Sequence, residues 1–330
     1  MPSFDSDALR EGTVYKKSNG LYTLHSQGQV LTCELSSKLR KELVTSTHTG
    51  RVTAVRDIQA VDPVAVGDIV HFVPPVPPSP GLIVAVQPRR SRLSRREAAG
   101  SDRRHAREQI IVSNLDQVVP VLALAQPAPS WTLLDRYLVS AASLGLPALI
   151  VLTKADLARD DAETMAAVAE YRAIGYQVIL TSTYLGEGVE ELREGLRGQV
   201  SALIGKSGVG KSSLLNAVQP GLGLRVKSVS ELTGKGRHTT THVEMFPLEI
   251  GGAVSDTPGT REFGLWQVDG ANLAEFYPEV SALAGNCRFG LDCSHLREPG
   301  CAVRRAADEG RISARRYNSM LHLSRQLGEG

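Results

Sequence analysis

The chain has 330 residues, of which 42% are hydrophobic and 22% charged, and its formal net charge at pH 7 is +2. This length allows two or three domains with separate cores, and the composition is typical of a soluble globular protein. Residues 1–10 are polar and acidic, and no apolar run is long enough to cross a bilayer, so we expect neither a signal peptide nor a membrane anchor. Three of the four cysteines crowd beside a histidine within residues 287–301, which favours metal binding in a reducing compartment over disulfides. We therefore expect a cytoplasmic protein, and we expect a monomer.

Residues 1–87 are predicted to form a small β-barrel of the OB-fold type. Short alternating segments recur here, and Asn19-Gly20 between two of them is a strong hairpin signal. About five strands in a stretch of this length fit a closed barrel. Such barrels often bind RNA, although many serve only as scaffolds. The predicted strands are Thr13–Lys17, Leu21–His25, Gln29–Leu35, Arg51–Val55, Asp68–Val73 and Leu82–Val86.

Residues 88–108 are predicted to form a basic linker. Arginine at high density suits contacts with a phosphate backbone, so this stretch is a candidate RNA-binding segment. The alternative is a solvated linker, because runs of like charge often have no partner. The stretch contains Arg89, Arg90, Arg92, Arg95, Arg96, Arg103, Arg104 and Arg107.

Residues 109–272 are predicted to form an α/β domain. Apolar strands alternate with helical segments, which implies a parallel sheet covered on both faces. The predicted strands are Gln117–Leu124, Ala148–Thr153, Gln177–Thr181, Val200–Ile204, Val243–Ile250 and Ala253–Ser255, and the helices are Trp131–Leu144, Ala162–Ala173 and Val189–Leu196.

The sequence G-K-S-G-V-G-K-S at 205–212 lies between a predicted strand and a predicted helix. In that context the pattern indicates a P-loop, whose backbone N–H groups surround the phosphates of a nucleoside triphosphate. Lys211 is expected to reach the terminal phosphates, and Ser212 is expected to ligate Mg²⁺. The residues assigned to nucleotide binding here are Gly205, Lys206, Ser207, Gly208, Val209, Gly210, Lys211, Ser212 and Ser213.

The sequence D-T-P-G at 256–259 follows the last predicted strand and supplies the second half of a phosphate site. Asp256 is expected to hold Mg²⁺ through water, and the N–H of Gly259 is expected to sense the γ-phosphate.

The sequence T-K-A-D at 153–156 ends a predicted strand and indicates guanine. Asp156 can accept hydrogen bonds from N1–H and the 2-amino group of guanine, whereas adenine would leave the carboxylate unpaired. The stem of Lys154 can lie across the purine, and backbone N–H groups near Ser182 can meet the guanine carbonyl. Thr153, the first residue of the motif, is also assigned to nucleotide binding. An ATPase remains the alternative, and Asp156 argues against it.

A compact cluster of metal-binding side chains reads C-x5-C-x-H-x5-C. Three thiolates and one imidazole match a closed tetrahedral zinc site with a structural role. Residues 273–330 are therefore predicted to form a zinc-binding helical module, in which Ala302–Leu327 is helical and exposes arginines at 311, 315, 316 and 325. The proposed ligands are Cys287, Cys293, His295 and Cys301.

The order of these motifs is unusual, because the base-recognition motifs precede the P-loop. The chain resembles the circularly permuted GTPases, and more narrowly the ribosome small-subunit-dependent GTPase A family of bacteria. The resemblance rests on the barrel, T-K-A-D, T-S-T, the P-loop, G-K-G-R-H-T-T-T at 234–241, D-T-P-G and the Cys/His cluster. Two departures stand out. Thr153 replaces the usual Asn and is expected to loosen its loop, and one extra residue separates Cys287 from Cys293.

The resemblance implies a Mg²⁺-dependent GTPase that converts GTP to GDP and phosphate. No glutamine follows D-T-P-G, so we expect slow intrinsic hydrolysis. His238 is the best candidate for orienting the attacking water or accepting its proton, and Thr240 is expected to complete the magnesium shell. We expect a partner to order this loop and switch hydrolysis on.

The resemblance also implies the partner, which is the small (30S) ribosomal subunit and its 16S rRNA during late assembly. The protein would bind rRNA in the GTP state and leave after hydrolysis. The alternative is a GTP-regulated RNA-binding scaffold whose turnover is too slow to matter. Gly208 stands where potassium-dependent relatives often carry Asn, so we do not expect potassium to assist.

Overall fold

The computed structural model describes residues 9–39, 41–45, 52–57, 63–97, 107–224, 243–256, 268–270 and 272–328. These residues divide into two compact units. The first unit contains the described residues up to Leu115 together with the strands at 244–247 and 253–256. The second unit contains the described residues from Asp116 onward, apart from those two strands.

The first unit is built on a five-stranded barrel, as predicted. Its strands follow the order β1-β2-β3-β7-β6, and pairing of β1 with β6 closes the barrel. Asn19 and Gly20 form the predicted hairpin turn, with φ angles of 51° and 78°. Alternation along the strands fills the interior with apolar side chains such as Val14, Leu24 and Phe72, all fully buried. The strands are β1 (Arg10–Ser18), β2 (Leu21–Ser26), β3 (Gln29–Leu35), β6 (Ile69–Val73) and β7 (Gly81–Val86).

Two further ribbons belong to the first unit but not to the barrel. Strands β4 (Lys41–Thr45) and β5 (Val52–Asp57) pair only with each other in the described residues, so the strand predicted at 51–55 is present but lies outside the five-stranded barrel. Strands β8 (Arg92–Glu97) and β9 (Arg107–Ser113) pair in the same antiparallel manner. The segment predicted as a linker therefore contains strand β8. The sequence analysis did not predict this strand because its pairing partner, β9, comes later in the chain.

Arg89, assigned above to the candidate RNA-binding stretch, has a partner inside the first unit. Its guanidinium binds both carboxylate oxygens of the fully buried Asp68 at 2.7 Å. Asp68 also accepts hydrogen bonds from the Ser113 hydroxyl at 2.6 Å and from the backbone N–H of Ala65 at 2.8 Å. A buried carboxylate needs such compensation, so Arg89 stabilises the barrel rather than facing a partner.

A β-hairpin completes the first unit. Strand β14 (Glu244–Pro247) pairs antiparallel with β15 (Ala253–Asp256) and also with β1, where Lys16 lies opposite Glu244. The sequence analysis extended β14 to residue 250, but the chain turns after Pro247, and the N–H of Leu248 bonds the carbonyl of Gly252 at 3.2 Å.

The second unit contains the predicted parallel sheet, in the order β12-β11-β10-β13. Every position of β10 and β11 is buried, which explains why these strands are apolar apart from Gln117 at the start of β10 and Thr153 at the end of β11. Helices connect the strands, as predicted from the alternating pattern. The elements are β10 (Gln117–Ala123), α1 (Trp131–Ser143), β11 (Leu149–Thr153), α2 (Ala162–Ile174), β12 (Gln177–Leu180), α3 (Val189–Leu196), β13 (Val200–Ile204) and α4 (Lys211–Val218).

Three helices, α5 (Pro278–Ala284), α6 (Ala302–Asp308) and α7 (Ala314–Gly328), follow in the second unit. Their apolar side chains form one cluster with Val139 of α1, which includes the fully buried Tyr277 and Val303. The helices α5–α7 therefore share a hydrophobic core with helix α1 of the α/β domain. Within the described parts of the chain, no helix combines the length and apolarity needed to cross a membrane.

Candidate functional site

The loop between β13 and α4 has the backbone geometry of a phosphate cradle. Gly208 and Gly210 have φ angles of 84° and 95°, which side chains disfavour. A Cβ on Gly205 would lie 2.4 Å from the carbonyl oxygen of Val121, so only glycine fits there. These constraints turn the chain sharply into α4, whose first N–H groups are unpaired within the helix and available to an anion.

Lys211 lies at the start of α4, and its amine reaches back over the loop. Its Nζ donates to the carbonyl oxygen of Gly205 at 2.7 Å and to that of Lys206 at 3.3 Å. Both carbonyls belong to the loop that would surround the phosphates. The ammonium therefore already lies at the mouth of the cradle, and Ser212 and Ser213 follow in the first turn of the helix.

The predicted base-recognition loop T-K-A-D begins at the end of β11 and is hydrogen-bonded to the P-loop. The hydroxyl of the buried Thr153 donates to the carbonyl of Val209 at 2.5 Å. Lys154 adopts a left-handed conformation with φ 57°, and its amine reaches the carbonyl of Gly208 at 3.4 Å and that of Gln126. Thr153, which stands where the related motif usually has Asn, thus links its loop directly to the P-loop through its hydroxyl.

The loop after β12 is tied to the base-recognition loop in turn. The N–H of Thr181 bonds the carbonyl of Leu152 at 2.8 Å, and the N–H of Ala155 bonds the carbonyl of Thr181 at 3.1 Å. Ser182 is 1% exposed, and its hydroxyl accepts from the N–H of Leu185 at 3.2 Å. Asp156 lies in a short 3₁₀ helix beside this junction, and an Arg159–Glu187 ion pair bridges the two loops. The predicted base and phosphate residues thus meet at the carboxyl edge of one sheet.

Only some of the residues predicted to bind magnesium or to close over the phosphates are among the described residues. Asp256 is the last residue of β15, opposite Glu244 in the hairpin. His238, Thr240 and Gly259 lie outside the described residues.

The four predicted zinc ligands converge on one point. Their donor atoms all lie within 4.8 Å of one another, and all four side chains are buried. Sγ of Cys287 lies 3.9 Å from Sγ of Cys301, and Nδ1 of His295 lies 3.6 and 3.5 Å from these two sulfurs. Zinc–sulfur bonds of about 2.3 Å in a tetrahedron place two sulfurs about 3.8 Å apart, so the spacing fits zinc.

The surroundings of the cluster suit thiolate and neutral imidazole ligands. Backbone N–H groups of Ala302 and Arg304 each donate at 3.3 Å to a cluster sulfur, as thiolates require. Burial lowers the pKa of His295, which keeps the ring in the neutral form that binds metal. The segment between Cys287 and Cys293, with its extra residue, forms a 3₁₀ turn over Gly290–Asp292, so the longer gap does not prevent convergence.

The comparisons with known proteins agree with this geometry. Residues 86–266 match the model of the RsgA GTPase family. The chain is 41% identical over 320 residues to the small ribosomal subunit biogenesis GTPase RsgA of Gemmatimonas aurantiaca, covering 96% of this chain and 97% of that protein. The RsgA of Moorella thermoacetica is 37% identical over 311 residues, which cover 94% of this chain and 95% of that protein. The chain belongs to the RsgA GTPase family.

Solved structures of two relatives share the whole fold of this RsgA-family protein. The crystal structure of YjeQ from Thermotoga maritima matches with a TM-score of 0.73 and 29% identity, covering 97% of this chain and 98% of that one. YloQ, a circularly permuted GTPase, matches with a TM-score of 0.67 and 25% identity, covering 99% of this chain and 98% of that one. The predicted permuted architecture is confirmed. The protein is a GTP-hydrolysing enzyme, and membership of this family implies GTP, GDP and Mg²⁺ as its ligands.

A buried ion-pair cluster in the RsgA-family chain was missed by the sequence analysis. Arg316 of α7 is 1% exposed and pairs with the fully buried Asp135 of α1. The other edge of its guanidinium binds the two carboxylate oxygens of Glu279 on α5 at 2.7 and 3.1 Å. The hydroxyl of Tyr171 on α2 donates to the same Asp135 oxygen at 2.6 Å. One arginine therefore joins α7 to α1 and α5.

The neighbouring Arg315 extends this cluster. Its guanidinium binds Glu170 at 2.5 Å and lies 5.3 and 4.8 Å from the ring centroids of Trp131 and Tyr171. Burial raises the pKa of Tyr171 well above its ordinary value, and the Asp135 carboxylate adds to the shift. The hydroxyl therefore stays protonated and can donate.

The prediction that Arg315 and Arg316 lie on exposed helix positions is wrong. Arg316 precedes Met320 and Leu323 by four and seven residues, and this spacing places it on the buried face of α7. That spacing could have predicted a buried position for Arg316, but the charge of the residue led to the prediction of an exposed one. Arg325 remains exposed, as predicted.

Proposed function

We propose that this protein is a late assembly factor of the small (30S) ribosomal subunit that binds 16S rRNA in the GTP state and is released after subunit-stimulated hydrolysis. The observation that carries the proposal is the junction of the P-loop, T-K-A-D and T-S-T loops at one sheet edge in a chain of this family. Its relatives are named for small ribosomal subunit biogenesis, which supplies the partner.

GTP recognition is assigned to the two connected loops and the P-loop. Asp156 accepts from the guanine edge, Lys154 lies along the purine, and Ser182 presents its backbone to the guanine carbonyl. Thr153 holds the base loop against the P-loop through Val209. The phosphates are bound by Gly205, Lys206, Ser207, Gly208, Val209, Gly210, Lys211, Ser212 and Ser213, with Gly259 at the γ-phosphate.

The hydrolytic step is assigned to residues around the γ-phosphate. Ser212, Thr240 and Asp256 would hold Mg²⁺, which would supply positive charge to offset the charge on the transferred phosphoryl group. His238 orients the attacking water or accepts its proton. The lack of a glutamine after D-T-P-G supports slow turnover without a partner.

The Cys/His cluster is assigned as a structural zinc centre with Cys287, Cys293, His295 and Cys301 as ligands. The distances among its donors support this assignment, and four protein ligands leave no open position for substrate. The exposed arginines around the centre suit rRNA phosphates. They are Arg288, Arg297, Arg305 and Arg325.

We also propose a location and an oligomeric state for the protein. An assembly factor of the small subunit works in the cytoplasm, and we propose that it acts as a monomer without potassium. The supporting sequence feature for the last point is Gly208 in the P-loop.

The test is GTP turnover by the purified protein, alone and with purified small subunits, with ATP and large subunits as controls. We expect strong stimulation by small subunits with GTP only, and loss of that stimulation in His238→Ala. Binding to small subunits without stimulation would favour the scaffold alternative. Full stimulated turnover in His238→Ala would remove this residue from the mechanism.

A further inference from the structure

The loop after β12 carries an exposed apolar tip. Tyr184 is 88% exposed and Leu185 is 49% exposed, and both follow Ser182 closely in the chain. Leu157, which follows Asp156 in the T-K-A-D loop, is 53% exposed. Exposed apolar side chains that are grouped and rimmed by polar residues are typical of sites of protein–protein contact. The roles assigned above to nucleotide and metal binding use none of these three apolar side chains.

The tip is held in place by the backbone of its own loop. Ser182 and Glu187 exchange two backbone hydrogen bonds, of 3.0 and 3.1 Å, and the hydroxyl of Ser182 accepts from the N–H of Leu185 at 3.2 Å. Gly188 closes the loop with a φ angle of 67°, and a Cβ there would lie 2.0 Å from a carbonyl oxygen of β12. Tyr184 is therefore presented on a well-defined turn, so binding through it loses little conformational entropy.

The surface around the tip is acidic, in contrast to the chain as a whole. Residues 156–163 and 183–193 contain seven acidic and two basic residues, whereas the whole chain has a formal net charge of +2. The two basic residues, Arg159 and Arg193, pair with Glu187 and Glu190 of the same segments. The Arg159–Glu187 pair also links the two loops side by side. The exposed acidic residues are Asp160, Asp161, Glu163, Glu187, Glu190 and Glu191.

This charge distinguishes between the two kinds of partner that a ribosomal subunit offers. RNA binding depends on Lys and Arg side chains that neutralise phosphates, and a surface with an excess of carboxylates repels a phosphate backbone. A protein segment rich in Lys and Arg is attracted to the same carboxylates, and an apolar side chain beside its charges can pack on Tyr184. Tyrosine is among the residues that contribute most to binding energy at such interfaces.

We propose that the tip formed by Tyr184 and Leu185 is a docking surface for a basic protein segment of the small ribosomal subunit. The inference rests on the proposed function for the assembly that carries this partner. The partner would reach the second unit at the loop that contains Ser182, which is assigned to the guanine carbonyl.

The test measures binding of two tip variants to purified small subunits and to protein-free 16S rRNA, with a non-hydrolysable GTP analogue present. Tyr184→Ser removes the apolar anchor, and Glu191→Lys reverses one exposed charge of the same surface. Leu291→Ser is the matched control, because Leu291 is 73% exposed in the same unit and also loses a large apolar side chain. The affinity of each variant for GDP reports whether the loop that contains Ser182 is intact.

We expect Tyr184→Ser to bind small subunits about fivefold to thirtyfold more weakly, as is typical when an interface anchor is removed, without a change in binding to protein-free 16S rRNA. We expect Glu191→Lys to bind small subunits about threefold more weakly, because the added cation repels a basic segment. GDP affinity is expected to stay within about twofold of the wild type in all three variants, since each change is on the surface. Leu291→Ser is expected to bind subunits as the wild type does.

Tighter binding of Glu191→Lys to small subunits would assign the surface to RNA and overturn the proposal. Unchanged subunit binding in Tyr184→Ser, or an equal loss in Leu291→Ser, would overturn it too. A parallel fall in GDP affinity in Tyr184→Ser would show that this residue supports its own loop instead of a partner. Failure of the wild type to bind small subunits would reject the proposed function as well, whereas equal binding by the wild type and Tyr184→Ser would reject the docking surface alone.

Discussion

The hydroxyl of Thr153 donates a hydrogen bond to the backbone carbonyl of Val209 over 2.5 Å. Both residues are at most 4% exposed, so water does not compete for this bond. Thr153 ends β11 at the start of the base-recognition loop, whereas Val209 lies in the P-loop. The bond therefore fixes the T-K-A-D loop and the P-loop, to which we assign the two ends of the nucleotide, relative to each other.

We expect Thr153→Val to weaken binding of both GTP and GDP. The isosteric change leaves the buried Val209 carbonyl without its donor, which costs about 1–3 kcal/mol of folding stability and frees the two loops from each other, so affinity for both nucleotides is expected to fall by at least about fivefold. Titration with a fluorescent guanine nucleotide measures it. Thr153→Ser keeps the hydroxyl and is the control, expected to stay within about threefold of the wild type. Equal affinities for the valine and serine variants would contradict this account.

Asp156→Asn is expected to change base preference rather than fold. The amide no longer accepts two hydrogen bonds from guanine, so GTP affinity falls by at least about tenfold. The new N–H₂ group can donate to the 2-carbonyl of xanthine, so the ratio of XTP to GTP affinity rises. Competition between the two nucleotides measures this ratio, and Asp160→Asn, an exposed aspartate nearby, is the control. An unchanged ratio would show that Asp156 does not contact the base.

Cys293→Ser is expected to lower bound zinc well below one ion per chain and to destabilise the α5–α7 segment. One of four ligands is lost from a closed site, and metal binding in such a site contributes to folding. Metal analysis of protein purified without added zinc measures the content. Cys33→Ala is the control, because Cys33 lies in the barrel core outside the cluster. Full zinc content in Cys293→Ser would remove this ligand.

Arg316→Ala is expected to lower the free energy of unfolding by about 3–5 kcal/mol, because the Asp135 charge stays buried without its counter-ion. Urea unfolding of the zinc-loaded protein measures the change. Arg325→Ala on the same helix is the matched control and is expected to change stability by less than about 0.5 kcal/mol. Similar decreases in the free energy of unfolding in the two variants would mean that the buried ion-pair cluster does not contribute to stability as proposed.

The features predicted correctly from the sequence are those encoded within short windows. The P-loop needs glycine at fixed intervals after an apolar strand, and Asn19-Gly20 specifies its own turn. The four Cys and His side chains of the predicted metal cluster lie within a short window, so their sequence spacing alone predicts that they come together.

The features that were missed depend on partners far away in the chain. Arg316 and Asp135 form an ion pair although 181 residues separate them in the chain, and no local sequence pattern at either residue predicts this pairing. Arg89 has the charge of an RNA contact, but its partner is a carboxylate that only the folded barrel buries. Both arginines were therefore interpreted as surface residues because of their charge, whereas each pairs with a buried carboxylate of the folded chain.

The pairing of Lys16 with Glu244 also has a consequence for synthesis on the ribosome, since 228 residues separate them. At ordinary translation rates of about 5–20 residues per second, β1 waits about 10–50 seconds for β14 to be made. During that interval the second half of β1 is an unprotected edge strand in a nascent chain. Consecutive lysines at 16 and 17 are the residues that discourage such an edge from pairing with another chain. Lys16 therefore carries a charge suited to an exposed strand edge before β14 is made, and it gains Glu244 as a counter-ion once the hairpin has paired.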